Sequence, residues 1–140
     1  MRFESAGLAT AHSVHTGLTA LAETHSSYHG EKVGFGVLTG LHLTDAPADE
    51  VATVYSFCED VGLPTTLADI GLGGADRGRL MVAAEKACAP DQPVHHEASV
   101  VTPAAVLDAM LAADALGQER RARGARHRAG EREPDLQLAR

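Results

Sequence analysis

Apolar residues recur along this chain at the three- and four-residue intervals of amphipathic helices, with breakers between the runs. Residues 6–24 are rich in Ala and Leu and predict a first helix, although Gly7 and Gly17 weaken it. His29-Gly30 interrupts, and a second helix is expected from Glu31 to Leu43 with Val33, Val37, Leu38 and Leu41 on one face. Pro47 suits the first turn of a third helix, and Asp49 and Glu50 suit its dipole. Val51, Val54, Tyr55, Cys58 and Val61 continue it at helical spacing until Gly62 and Pro64 end it. "TTLADIG" (65–71) reads as a single helical turn and "GLGGADRGR" (71–79) as a loop. Residues 79–88 form a further helix on Leu80, Ala84 and Ala87, and 89–101 an extended connector. Thr102 is the expected cap of a last helix, with Pro103 at its first position and Val106, Leu107, Met110, Leu111 and Leu116 along it.

No segment alternates convincingly with a period of two, so the fold class expected is all-α, a helical bundle. After Gly117 the sequence turns polar and loses its apolar stripe. This predicts one helical domain over 1–117 and an Arg-rich frayed or disordered tail over 118–140.

Composition sharpens this picture in two ways. Aromatic residues make up 4% of the chain and Trp is absent, so Ala and Leu must fill the core, which favours close-packed helices. The net charge of −7 conceals an asymmetry: residues 1–117 carry 5 basic and 15 acidic side chains, whereas 118–140 carry 7 arginines and 4 acids. An acidic body argues against nucleic acid as a partner, because phosphate contacts need positive charge. No run approaches a membrane span, the N-terminus lacks the apolar core of a signal peptide, and Cys58 and Cys88 form no CxxC pair. A cytoplasmic protein with reduced, buried thiols is expected.

Four of the eight histidines fall within residues 11–32. His12 and His15 stand at i and i+3 on one helical face, and His25 and His29 at i and i+4 across the expected end of that helix. Imidazole is a common neutral ligand for zinc and suits iron. Spacing alone leaves open a metal site or ordinary surface and hydrogen-bonded histidines, since no HExxH is present.

The order of motifs adds more. "AHSVHTG" (11–17), "HGEKVGFG" (29–36) and "GLPTTLADIG" (62–71) follow one another as in the glycerol dehydrogenase branch of the metal-dependent (iron-containing) alcohol dehydrogenases. Residues 4–118 resemble the C-terminal helical domain of that dehydroquinate-synthase-like family. The resemblance implies a divalent metal, zinc or iron, held by two histidines and an Asp. His12 and His29 match the histidine ligands, and His15 lies beside the site as a residue behind the ligands or facing substrate. His25 falls in a variable stretch and is expected to be exposed. Glu31 and Lys32 are tempting as acid and base, but capping or solvated roles are expected of them.

The family's activity would be NAD-dependent oxidation of glycerol or a related small polyol, with the metal as Lewis acid on the substrate hydroxyl. The family's dinucleotide-binding domain, which supplies the Asp and the NAD site, has no counterpart in this sequence. The partners implied are a small polyol, a separate dinucleotide-binding half, and further copies of the intact enzyme in a homo-oligomer. The isolated chain is expected to be inactive. The alternative is a non-catalytic helical domain, from a truncated gene or docking onto a cofactor-binding chain.

Overall fold

The computed structural model describes residues 2–89 and 101–138. Helix α1 spans Arg2–Thr19, α2 His29–Leu43, α3 Ala48–Val61, α4 Arg77–Ala87 and α5 Pro103–Leu138. Short 3-10 turns lie at Ala22–Thr24 and Ala68–Ile70, and no strand occurs among the described residues. The all-helical expectation therefore holds. The connector expected at 89–101 falls almost wholly outside the described residues.

Four helices make the body: α1 packs on α2 and α4, and α5 closes the group by packing on the same two. Helix α3 touches α2 more lightly. The core is aliphatic, as the scarcity of aromatics requires. Leu18, Leu21, Leu38, Leu41, Leu80, Ala84, Val106, Leu107 and Met110 are buried around Phe35 and Tyr55. Each fully buried large side chain contributes about 1.5–3 kcal/mol relative to exposure.

Two close helix crossings depend on glycine. A Cβ at Gly36 of α2 would sit 2.7 Å from the Ala11 carbonyl oxygen of α1, and one at Gly17 would sit 2.2 Å from that of Ala83 in α4. Gly17, which weakens the helix in sequence terms, thus lets α1 approach α4. Helix α1 stops at Thr19, short of the expected residue 24. The buried Thr24 hydroxyl lies 2.7 Å from the Leu18 carbonyl oxygen and 3.0 Å from that of Leu21, and so covers the helix end.

Three further expectations need correction. Val61 is exposed, because it is the last residue of α3 and lies beyond the core that buries Tyr55 and Cys58 on the same face. Phe35, outside the expected apolar face of α2, is fully buried. The stretch after Gly117 is helical: α5 continues to Leu138. Ala, Arg, Glu and Gln are strong helix formers, and two arginines tie this extension to the body. Arg120 donates to both Glu59 carboxylate oxygens, at 2.8 and 3.0 Å, while Arg121 pairs with Asp69. Thr102 caps α5 as expected, its hydroxyl accepting from the Ala105 amide at 3.1 Å.

Candidate functional site

The α1–α2 hairpin carries the histidines. His15 stands near the C-terminal end of α1 and His29 is the first residue of α2. The crossing at Gly36 draws the two helices together, and the imidazoles meet edge to face with ring centroids 4.1 Å apart and planes at 65°. His12, one turn earlier on α1, is exposed and close enough for its charge to act on His15. The Thr16 hydroxyl turns back to the His12 carbonyl at 3.1 Å.

His15 has an informative set of partners. The Thr19 hydroxyl donates to the His15 carbonyl at 2.9 Å, and its oxygen lies 3.5 Å from His15 Nε2. His15 Nδ1 is buried and has no hydrogen-bond partner. Burial, with the neighbouring charges of His29, Lys32 and His12, lowers the His15 pKa, so the ring is neutral near neutral pH.

His25 stays out of this pair. It is exposed, and its Nε2 donates to the Thr19 carbonyl at 3.0 Å. Glu31 caps α2 as expected, its carboxylate accepting from the Tyr28 amide at 2.7 Å. Lys32 differs from its expected solvated role: it is only 7% exposed. In the structure it shares a buried i, i+3, i+4, i+7 stripe of α2 with Phe35, Gly36 and Thr39, which its residue type does not announce.

Among the described residues no three His, Cys, Asp or Glu side chains converge as a metal cage. A cleft of about 720 Å³ lies between the 62–69 segment and α5 and reaches the start of α2, lined by Glu31, Thr65, Asp69, Arg120, Arg121 and Arg128. Asp69 and Arg121 face one another there, so much of its charge is already matched.

No family model matches the chain. Among curated proteins it is 54% identical over 119 residues to the glycerol dehydrogenase of Thermotoga maritima, covering 85% of this chain and 33% of that protein. It is 47% identical over 121 residues to the glycolaldehyde reductase of Halobacterium salinarum, covering 86% of this chain and 33% of that one. The solved structure of glycerol dehydrogenase from Schizosaccharomyces pombe superposes with a TM-score of 0.79 at 29% identity, over 83% of this chain and 30% of that chain. The chain thus spans about a third of the length of the curated relatives it matches. The fold matches the helical part of glycerol dehydrogenases, and over the matched stretch the chain is similar to them in sequence.

Proposed function

We propose that this chain is the histidine-bearing helical part of an NAD-dependent dehydrogenase that oxidises glycerol, or a related small polyol, to dihydroxyacetone or the matching ketone. The carrying observation is the meeting of the α1 and α2 imidazoles in a chain about half identical to a glycerol dehydrogenase. The likeness to a glycolaldehyde reductase keeps the substrate class to small hydroxylated carbon compounds and allows the reverse direction.

The donor chemistry fits a divalent metal. Neutral imidazoles suit zinc first and iron as well, and the His15 ring, packed on His29, steadies one of the candidate ligands. His12 and His29 are proposed as the ligands, with His15 packed beside them on His29. When bound, the metal supplies Lewis acidity that lowers the pKa of a substrate hydroxyl. The chain's own residues do the rest of what is assigned to this half. The α1–α2 crossing fixes the spacing of the imidazoles before substrate arrives, which removes part of the ordering cost. Burial keeps His15 neutral, so it adds no cationic repulsion to the site. Holding NAD is assigned to a separate dinucleotide-binding half, because no strand-based nucleotide fold occurs among the described residues.

Calorimetric zinc titration tests the site. His12→Ala and His29→Ala should each weaken zinc binding at least tenfold, whereas His25→Ala should leave it unchanged. Equal damage from His25→Ala would refute the ligand assignment. Glycerol-dependent NADH formation should be absent with the chain alone and appear when a cofactor-binding half is added. Turnover by the chain alone would overturn the division of labour. The alternative, a domain with no catalytic part, predicts no turnover in either mixture.

A further inference from the structure

Helix α2 opens on His29, one of the proposed ligands, and its first turn is weak in composition. Tyr28, the residue before it, is not one of the short polar types whose side chain closes a helix N-terminus. The Tyr28 side chain is instead 79% exposed. Gly30, the residue after it, is a poor helix former, and no atom lies within 4 Å of where its Cβ would be. A helix that begins Tyr-His-Gly frays at its start unless something else holds it, and an imidazole at the first position would fray with it.

One side chain opposes this. The Glu31 carboxylate accepts from the Tyr28 amide at 2.7 Å. The Tyr28 carbonyl oxygen accepts in turn from the Glu31 and Lys32 amides, at 3.1 and 3.2 Å. Tyr28 is thus gripped by both of its backbone groups, and its carbonyl belongs to the peptide unit that leads into His29. Among the described residues Glu31 makes no ion pair, so the amide contact is what engages its carboxylate. The second observation is independent. The His29 ring rests on His15 of α1 with centroids 4.1 Å apart, yet His29 is exposed, so burial does not hold it there. A surface ring keeps such a contact only if the backbone beneath it is still.

We infer that Glu31 is the positioning residue of the histidine corner: by closing the N-terminus of α2 it sets the His29 imidazole against His15 before any metal arrives. The role is one of hydrogen bonding. An amide oxygen in the same place serves as well, whereas a metal ligand or a base would need the carboxylate. The consequence for metal binding rests on the proposed function; the ordering of His29 does not. When the first turn is frayed part of the time, the apparent affinity for a metal falls by the fraction of chains that still hold the ring in place.

The ring contact is read first, in the full chain without metal. NMR cross-relaxation between the His15 and His29 ring protons should be strong in the wild type and in Glu31→Gln, and largely lost in Glu31→Ala. Hydrogen exchange at the Tyr28 amide should quicken severalfold in Glu31→Ala alone. Asp76→Ala removes the matching cap of α4, where the Asp76 carboxylate accepts from the Arg79 amide at 2.8 Å. It should leave the ring contact and zinc affinity as they are, which separates positioning from a general loss of stability. In the zinc titration Glu31→Ala should bind about three- to fivefold more weakly, the effect of a lost cap at a marginal helix end, and Glu31→Gln should match the wild type. Tyr28→Ser added to Glu31→Ala supplies a cap side chain from the neighbouring position and should restore the ring contact. An intact ring contact in a folded Glu31→Ala chain overturns the inference, as does a folded double variant that lacks the contact. Glu31→Gln as damaging as Glu31→Ala overturns it too, since the carboxylate charge would then be what matters. A wild-type chain that binds no zinc would retire the metal reading, and the ring contact would still decide the part played by Glu31.

Discussion

Tyr55 has one hydroxyl proton, and it goes to the Ala113 carbonyl of α5 at 2.8 Å. The 3.1 Å contact between that hydroxyl and His42 Nε2 is therefore the imidazole donating from α2. One buried phenol thus ties three helices together, and Arg120 lies over its ring at 5.7 Å from the centroid. Burial lowers the His42 pKa. The unfolded chain accepts a proton on this ring below about pH 6.5, while the folded chain resists it. Stability should accordingly be indifferent to His42 above that pH and fall as the pH drops beneath it. Thermal melts across this window should be flatter for His42→Gln than for the wild type. The carboxylates act in a different range. The Arg79 guanidinium, donating at 2.9 and 2.7 Å, holds the Glu23 carboxyl down to about 2, so its contribution persists above the ordinary carboxylate range and is lost only in stronger acid. Tyr55→Phe should cost about 1–3 kcal/mol by denaturant unfolding, since it strands the His42 donor and the Ala113 acceptor together.

At the scale of the helix pair, the α1–α2 contact is what makes the candidate site. Gly36→Ala would drive a methyl into the Ala11 backbone and push the helices apart. It should cost about 1–3 kcal/mol and weaken zinc binding with it. Gly30→Ala, one residue beyond His29 with open space at its Cβ, is the matched control. It should stabilise α2 by about 0.5–1 kcal/mol, read by thermal unfolding. The helices themselves were legible because their apolar positions repeat cleanly: Leu80, Ala84 and Ala87 of α4 are buried as their spacing requires. The end of α1 was not legible, because Thr24 acts on it through a tertiary hydrogen bond to Leu18. Lys32 was misjudged for a similar reason. A charged residue type suggests solvent, and only the buried stripe it shares with Phe35 reveals its place. The order of the histidines showed which helices carry the site, but the touching pair, His15 and His29, depends on how α1 crosses α2.

At the scale of the whole molecule, the acidic body and the arginine-rich extension are complementary. Arg120 and Arg121 spend their charge on Glu59 and Asp69, so the end of the chain that composition alone sets apart is fastened to the body. Arg120→Gln combined with Arg121→Gln should lower the helical circular dichroism signal and open protease sites beyond Gly117. Core stability should change by no more than about 1 kcal/mol per pair, as expected of exposed ion pairs. The hairpin that brings His15 to His29 has a consequence of another kind. Its two rings are near neighbours along the chain, and loops of about ten residues close in about 10–100 ns. The imidazole pair can therefore assemble from local contacts alone, well before α5 returns from the far end of the sequence to pack on α2. Nascent chain emerging from a ribosome would present this pair to metal while most of the core was still unmade.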